Sequence, residues 1–243
     1  MPDIAESTWM QIDERLRRDI RVVLPLGATE EHGYLSVCTD TLFVDRVTEA
    51  ACVEADVLRA PVFPFGCSAF ATTFPGSISL RTVTFCHVLE DVIDCLWRQG
   101  FRRLVFVTGH GGNEVITGVL SEAQLDRPGL NVYYVNAWTG MGPHIQEVEQ
   151  RLQLPRTEHA SWHEAFDFTT VGPVPAGSKP APDGPDYPLF PLNPRTARQH
   201  LGDGIVAGAY HLDDPELMDR MFRACVEHLT KFLTALPQEA APQ

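Results

Sequence analysis

Glu30, His32 and Asp40 offer side chains that readily bind divalent cations, and they lie close together near the N-terminus. Carboxylate oxygens and imidazole nitrogens suit Zn²⁺, Mn²⁺ or Fe²⁺. Glu30 and His32 are two positions apart, so their side chains share a face in an extended loop. Taken singly, Asp40 could be a helix N-cap, and Glu30 or Glu31 could be a solvated surface residue. Taken together, the three residues predict a metal site.

Similar chemistry recurs at His110, within the turn Gly-His-Gly-Gly-Asn at residues 109–113. Glycines on both sides clear space around the imidazole, which favours a metal ligand. A glycine-rich turn between a strand and a helix also builds phosphate loops. Because no lysine follows and the G-x-G-x-x-G spacing is absent, a nucleotide site is the weaker interpretation. We expect Asn113 to cap the helix that follows.

A third cluster lies at Glu158-His159-Ala160-Ser161-Trp162-His163-Glu164. If this segment is helical, His159 and His163 lie at i and i+4 on one face, a spacing found in zinc-binding helices. The pattern is not H-E-x-x-H, so a zincin is not predicted. Glu158 is a candidate general acid or base, Glu164 a candidate ligand, and His163 a neighbouring or surface residue.

These clusters come from distant parts of the chain, so the fold must bring them together. Apolar runs at residues 21–27 and 104–108 predict buried strands. The candidate ligands at 30–40 and His110 directly follow the C-terminal ends of these strands. In open α/β sheets, ligands bind at that edge.

The remaining elements alternate along the chain. The patterns predict helices over 8–18, 40–55, 82–99, 113–125 and 214–233. Thr39 or Asp40 is the expected N-cap of the second helix, and Gly100 is the expected C-cap of the third. Further strands are predicted over 57–62 and 132–135. The expected buried face of helix 82–99 is Val83, Val88, Val92, Ile93 and Leu96. Strands alternating with helices give a parallel sheet covered on both faces. We therefore expect an α/β fold, a three-layer α/β/α sandwich around a mostly parallel sheet.

The length of 243 residues suits a single domain over residues 1–243. Residues 171–194 are rich in proline and glycine, and we expect an extended excursion there that wraps a neighbouring subunit, edges the active site or is a plain solvated loop. Residues 236–243 are expected to form a disordered tail.

The formal net charge of −13 argues against a nucleic-acid or anionic-membrane partner, because both are polyanions. We see no apolar run of membrane-spanning length and no secretion signal. The six cysteines form no C-x-x-C pair, which indicates reduced thiols in a cytoplasmic protein. Cys38 is interpreted as a small residue filling a tight loop rather than as a metal ligand.

Taken in order, the clusters resemble the creatininase (creatinine amidohydrolase) family. Its motifs are P-x-G-x-x-E-x-H-G, T-D, F-P-G-T, N-G-H-G-G-N and E-H-[AG]-x-x-x-E. This chain has Pro25-Leu26-Gly27-Ala28-Thr29-Glu30-Glu31-His32-Gly33, Thr39-Asp40, Phe74-Pro75-Gly76-Ser77, Thr108-Gly109-His110-Gly111-Gly112-Asn113 and the 158–164 segment. The order and the separations agree over most of residues 8–235.

The resemblance implies two divalent ions per chain, Zn²⁺ or Mn²⁺, with Fe²⁺ as a further candidate. Asp40 would bridge the ions, Glu30 and His110 would hold one, and His32 would hold the other. The founding enzyme completes the second site with a glutamate at the position of Gly112, which cannot bind a cation here.

By the same resemblance, Glu164 is inferred to replace that missing ligand. Glu158 and His159 match the family's catalytic pair, in which Glu158 carries a proton and His159 stabilises the oxyanion. The substrate-binding residues implied are Gly76, Ser77, Gly111 and Trp138.

Two departures from the family pattern concern the substrate pocket. Residues 32–36 read His-Gly-Tyr-Leu-Ser where the family has H-G-P-H-L-P, and the chain is one residue shorter before Asp40. Pro155 replaces a tryptophan of the founding enzyme. We therefore predict that creatinine is not the substrate.

The resulting hypothesis is a metal-dependent amidohydrolase that cleaves a small cyclic amide, N-acyl or formamide substrate by attack of a metal-bound water. One alternative is a hydrolase that opens a cyclic diketone by carbon–carbon cleavage. A second is a metal- or ligand-binding protein without turnover, and a nucleotide-binding domain ranks last. Relatives form rings, so the resemblance also implies a homo-oligomer, specifically a hexamer.

Overall fold

The computed structural model describes residues 3–180 and 192–239. Its strands are β1 (Arg21–Leu26), β2 (Leu58–Arg59), β3 (Arg103–Thr108), β4 (Asn131–Asn136), β5 (Ser178–Lys179) and β6 (Gly208–Ala209). Its α-helices are α1 (Trp9–Leu16), α2 (Thr39–Ala55), α3 (Thr82–Gln99), α4 (Thr117–Glu122), α5 (Gly142–Leu152), α6 (Ala197–Leu201) and α7 (Pro215–Ala235). Short 3₁₀ turns cover Ile4–Glu6, Ala69–Thr73, Gly111–Ile116, Thr139–Met141 and Trp162–Glu164.

The main sheet has the order β2-β1-β3-β4, and its strands are parallel. Strands β1 and β3 lie in the centre and pair in register from Arg21 with Arg103 to Leu26 with Thr108. Their apolar, β-branched composition suits strands buried on both faces. Strands β5 and β6 form a separate antiparallel pair.

Alternate residues of the central strands enter two different cores, one on each face of the sheet. On one face, Val23, Val105 and Val107 pack with the buried residues of α2 and α7. On the other face, Leu24 and Phe106 pack with α3, α4 and the end of α1. Helices therefore cover both faces, and the predicted α/β/α sandwich around a parallel sheet is confirmed.

Several helix ends follow the sequence signals. Thr8 and Gln11 form a capping box at α1, and the Asp214 side chain accepts from the Leu217 amide at the start of α7. Gly100 ends α3 with φ of 111°, a left-handed conformation that glycine adopts without a Cβ clash.

Three predictions about secondary structure are wrong in extent. The strand predicted over 57–62 is limited to Leu58–Arg59, because after Ala60 the next amide that donates to β1 is that of Phe63, which breaks the alternation of the ladder. The segment after His110 forms a 3₁₀ turn before the short α4, so the helix predicted over 113–125 is largely absent. In α3 the buried residues are Phe85, Leu89 and Ile93, whereas Val83 is exposed.

The predicted excursion over residues 171–194 and the predicted tail over residues 236–243 lie only partly within the described residues. Within 171–194, residues 171–180 and 192–194 are described, and 181–191 lie outside the described residues. Leu236, which follows α7, packs against the core, and Glu239 pairs with Arg103 at 3.4 Å. Residues 240–243 lie outside the described residues.

A buried ion cluster ties α1, β1 and α2 together. Asp19 is fully buried and accepts from Arg21 Nε and Nη2, both at 2.9 Å, while Arg15 Nη2 lies 3.2 Å away. Arg15 also pairs with Asp56 at the end of α2 at 2.7 Å. Arg21 Nη1 donates to the main-chain oxygen of Leu233 in α7. The N-terminal segment is thereby joined to the sandwich.

All six cysteines are free thiols. In the part of the chain that the structure describes, we find no helix with both the length and the apolar character needed to span a membrane.

Candidate metal centre

The site forms where the C-terminal ends of β1 and β3 meet the first turn of α2. Gly109, which follows β3, lies so close to the main-chain oxygen of Asp40 that a Cβ would overlap it. Asp40 is not the N-cap of α2, contrary to one prediction, and neither is Thr39. That position belongs to Cys38, which makes no side-chain cap, and the Asp40 carboxylate turns towards two histidines instead.

Glu30, Asp40 and His110 form the first group of potential cation ligands. One ligand atom from each lies within 4.8 Å of the others, and all three residues are buried. His110 Nδ1 is 2.9 Å from Asp40 Oδ2, and His110 Nε2 is 3.4 Å from Glu30 Oε2. These are the residues that the sequence predicted for one ion.

Glu30, His32 and His159 form the second group, again with ligand atoms within 4.8 Å of one another. His32 Nε2 lies 3.2 Å from Asp40 Oδ1 and 3.9 Å from Glu164 Oε2. His159 Nδ1 lies 3.6 Å from Glu30 Oε1. The structure thus brings the predicted ligands together, and it places His159 among them.

The three histidines share one hydrogen-bonding arrangement, in which one ring nitrogen meets a main-chain carbonyl. His32 Nδ1 is 3.0 Å from the oxygen of Glu30, His110 Nε2 is 3.2 Å from that of Cys67, and His159 Nε2 is 2.9 Å from that of Glu31. A carbonyl only accepts, so each of these nitrogens donates. Each opposite nitrogen faces carboxylate oxygens, and when it is deprotonated it can bind a cation, the usual arrangement of metal-binding histidines.

Unsatisfied polar atoms concentrate at this site. Among the described residues, five buried side-chain polar atoms lack a hydrogen-bond partner, and four of them are Glu30 Oε2, Glu31 Oε1, His32 Nε2 and Asp40 Oδ2. Buried acceptors facing one another are unfavourable unless a positive charge lies between them. The donor set of carboxylates and imidazoles therefore fits a divalent cation.

The proton affinities of the same groups reflect this crowding of acceptors. Burial disfavours the imidazolium of His110, but Glu30 and Asp40 outweigh it and raise its pKa to about 9. Burial likewise opposes ionisation of Asp40, yet His32 and His110 hold the pKa of Asp40 below its usual value. The cluster therefore attracts positive charge.

The loop after β3 has no room for a side chain at position 112. A Cβ on Gly112 would overlap the main-chain oxygen of Cys67 and the His110 ring. Asn113 does not cap a helix, contrary to prediction. Its amide donates to the oxygen of Gly27 and to Thr108 Oγ1, which ties the ends of β1 and β3 together.

The 158–164 segment is not helical, so His159 and His163 do not take the i, i+4 positions that a helix would have given them. Ala160 has φ of 63°, which breaks any helix, and only a 3₁₀ turn over Trp162–Glu164 follows. His163 Nε2 lies 3.5 Å from Glu164, and burial lowers the pKa of His163. The carboxylate of Glu158 pairs with Arg156 at 3.1 Å and is partly exposed.

The predicted substrate-binding residues occupy different surroundings. Ser77 Oγ accepts from the Glu31 amide at 2.9 Å, and Gly76 has φ of 94°. The Trp138 indole donates to the oxygen of Gly109 at 2.7 Å and stacks on Phe43 at 3.5 Å between ring centroids. A Cβ on Gly111 would meet open space.

Glu31 is the residue that sequence reasoning missed, because we interpreted it as solvated. It is buried, its Oε2 accepts from the Gly33 amide, and its Oε1 lies 3.3 Å from His159 Nε2. Its position directly beside two predicted ligands was the available signal.

Three curated relatives match parts of the chain. A 3-dehydro-scyllo-inosose hydrolase of Thermotoga maritima is 31% identical over 45% of this chain. A creatinine amidohydrolase of Pseudomonas putida is 31% identical over 46% of this chain. A mycofactocin precursor peptide peptidase of Mycobacterium tuberculosis is 34% identical over 42% of this chain. The matches cover 36%, 46% and 43% of these relatives, so the chain spans less than half of their lengths.

Solved structures share the fold over nearly the whole chain. A creatinine amidohydrolase (creatininase) aligns with a TM-score of 0.79 and 23% identity over 96% of both chains. A Zn–Zn type creatininase variant has a TM-score of 0.78 and 23% identity over 95% of this chain and 96% of its own. A creatininase described with Mn has a TM-score of 0.78 and 22% identity over 96% of this chain and 97% of its own. The family Creatininase, described as creatinine amidohydrolase, matches residues 5–233, and the chain therefore belongs to the creatininase family.

Proposed function

We propose that this chain is a metal-dependent hydrolase that cleaves the C–N bond of a small amide. The observation that carries the proposal is that two groups of potential cation ligands, nearly all of them buried, share Glu30 and bring imidazole nitrogens close to carboxylate oxygens. Family membership and the amidohydrolase and peptidase among the relatives support amide hydrolysis.

Glu30, Asp40 and His110 would hold one divalent cation, and His32 with Asp40 and Glu164 would surround a second. When bound, such cations polarise a carbonyl and lower the pKa of water towards neutrality. Zn²⁺ and Mn²⁺ suit this donor set. Among the solved creatininases, one is described as a Zn–Zn type and another with Mn.

The chain's own residues would bind the substrate and move protons. The Glu158 carboxylate is partly exposed and pairs with Arg156, and we assign it the delivery of a proton to a leaving nitrogen. His159 lies 3.6 Å from Glu30, which supports a role for His159 at the reacting centre. The main chain at Gly76, Ser77 and Gly111 would line the substrate pocket with Trp138, whose ring is fixed by Phe43 and by the oxygen of Gly109.

A cyclic amide, a formamide or another N-acyl compound is the proposed substrate class. The second candidate is hydrolysis of a cyclic diketone at a carbon–carbon bond, since water attack on a carbonyl is common to both reactions. The similarity to a 3-dehydro-scyllo-inosose hydrolase favours retaining this candidate.

The test begins with protein purified without added metal, in which ions are counted per chain by elemental analysis. Lactams, formamides, N-acyl compounds and cyclic diketones are then assayed side by side. We expect two ions per chain and cleavage of an amide that stops on chelation and returns with Zn²⁺ or Mn²⁺. Protein that holds no ions, or that hydrolyses none of these classes when loaded, contradicts the proposal.

The assembly is proposed to be a homo-oligomer, specifically a hexamer, on the basis of the family resemblance. Light scattering coupled to size-exclusion chromatography measures the mass directly, and a monomeric mass contradicts this part of the proposal.

A further inference from the structure

We infer that His159 is itself a cation ligand, through Nδ1, and completes the second position together with His32 and Glu30. This inference rests on the proposed function, because it concerns the same centre. It differs from the role that the family resemblance implies, in which His159 stabilises an oxyanion and Glu164 replaces the missing ligand.

The first argument is the direction of the His159 lone pair. His159 Nε2 lies 2.9 Å from the main-chain oxygen of Glu31, so this nitrogen carries the proton and donates it. Nδ1 is then the nitrogen available to a cation, and it lies 3.6 Å from Glu30 Oε1. A positive charge between these two atoms stabilises the buried carboxylate, and a divalent cation that replaces the proton on Nδ1 would supply it.

The second argument is the equivalence of His159 to the two predicted ligand histidines. His32 and His110 also donate one N–H to a main-chain carbonyl and direct the other nitrogen at carboxylates. The rings of His32 and His159 are 4.4 Å apart, and ligand atoms of both lie within 4.8 Å of Glu30. Because the three histidines are held in the same manner, we infer that all three have the same role, which is to bind a cation.

The third argument is that the second position has no side chain at residue 112 and that Glu164 is partly engaged elsewhere. Gly112 offers no side chain, and the loop around it leaves no space for one. Glu164 Oε2 already accepts from the Ala160 amide at 2.7 Å, and it lies 3.9 Å from His32 Nε2. His159 reaches the position directly.

Glu31 acts as the positioning residue in this arrangement. Its carboxylate is buried, and Oε1 lies 3.3 Å from His159 Nε2, beside the carbonyl that accepts the proton. A carboxylate behind a ligand histidine fixes the tautomer and increases the basicity of the ligating nitrogen. Glu31 therefore keeps Nδ1 free for a cation.

The experiment measures Zn²⁺ binding to metal-free protein by calorimetry, with Glu158→Gln as the matched control. We expect two ions in the wild type and in Glu158→Gln. In His159→Ala, one of the two should bind at least about 10²-fold more weakly, and Glu31→Gln should weaken the same ion about 10-fold. In Co²⁺-loaded protein, His159→Ala should also change the visible absorption, because a nitrogen ligand is lost.

Outcomes that overturn the inference are separable from those that overturn the proposed function. If His159→Ala holds both ions with unchanged affinity and spectrum but loses turnover, His159 is catalytic and the inference alone fails. If the wild type binds no ion, both fail. Should His159→Ala not fold, ¹⁵N-resolved histidine spectra of the wild type decide the matter. Zn²⁺ should shift the Nδ1 resonance of His159, and a shift confined to His32 and His110 overturns the inference.

Discussion

Gly109 and Asp40 touch through their main chains, and this contact sets the distance between the end of β3 and the first turn of α2. Asp40 is the carboxylate that faces both His32 and His110, so its position depends on a residue without a side chain. The geometry of the candidate metal centre thus depends partly on the lack of a side chain at Gly109.

Gly109→Ala should therefore destabilise the fold by about 1–3 kcal/mol and weaken cation binding, because the added Cβ must displace the Asp40 main chain. Urea unfolding and calorimetric titration with Zn²⁺ measure the two effects. The matched control is Gly118→Ala in α4, where a Cβ meets open space and a slight gain of about 0.5–1 kcal/mol is expected. If the two substitutions changed stability and Zn²⁺ binding equally, the contact between Gly109 and Asp40 would not explain the loss.

Asp19→Ala should cost about 3–5 kcal/mol of unfolding free energy, because it leaves the buried charges of Arg15 and Arg21 without their shared partner. The exposed pair of Arg17 and Asp13 provides the control, and Asp13→Ala should cost less than about 1 kcal/mol. Urea unfolding of both variants checks the contrast, which fails if Asp19→Ala unfolds at the same urea concentration as Asp13→Ala.

Cation binding should raise the thermal stability of the whole protein, because the ligands are assembled only in the folded state. At a free Zn²⁺ concentration of 100 times Kd, the gain is about 2.7 kcal/mol per site. Calorimetric melting with Zn²⁺ and with a chelator gives the shift in Tm. Glu30→Gln should abolish most of it, since Glu30 belongs to both ligand groups, and a variant that keeps the full shift would argue against that sharing.

Thiol labelling should separate the cysteines by burial. Cys52 and Cys225 are buried, and burial raises the pKa of each thiol to about 12, so both remain protonated and inaccessible at pH 8. Cys95 is exposed and should react rapidly. Mass spectrometry after brief labelling locates the modified residues. Rapid labelling of Cys52 or Cys225 in native protein would contradict their placement in the core.

The same two thiols predict a loss of stability in alkaline solution. In the unfolded chain a thiol ionises near pH 9, whereas Cys52 and Cys225 hold their protons to about pH 12. The contribution of each thiol is complete below pH 9 and falls by about 1.4 kcal/mol per pH unit as the pH rises towards 12. Unfolding of the wild type and of a Cys52→Ala, Cys225→Ala variant between pH 8 and 11 tests this. The variant should show the shallower decline, and parallel curves would exclude the thiols as its cause.

Local patterns predicted the parts of the fold that depend on neighbouring residues. Strand β3 and helix α3 were evident from an apolar run and from a helical repeat ending at Gly100. The positive φ of Ala160, which breaks the expected helix, is not encoded by any local preference of alanine. It is imposed by tertiary contacts, among them the bond from the Ala160 amide to Glu164.

The candidate site shows the same division. Residue type and spacing were sufficient to select Glu30, His32, Asp40 and His110, which the fold brings together. The contact of Glu31 with His159 joins residues far apart in the chain, so its position between Glu30 and His32 was only an indirect local signal for it. The closed space at Gly112 likewise depends on Cys67 in another loop.

Glu30 belongs to both ligand groups, and this has a consequence for how the centre fills. An ion that draws the Glu30 carboxylate towards His110 changes what remains for an ion near His32 and His159, and by thermodynamic reciprocity the effect is equal in the other direction. The two affinities would therefore be linked, so the affinity for a cation at one position would depend on which cation occupies the other.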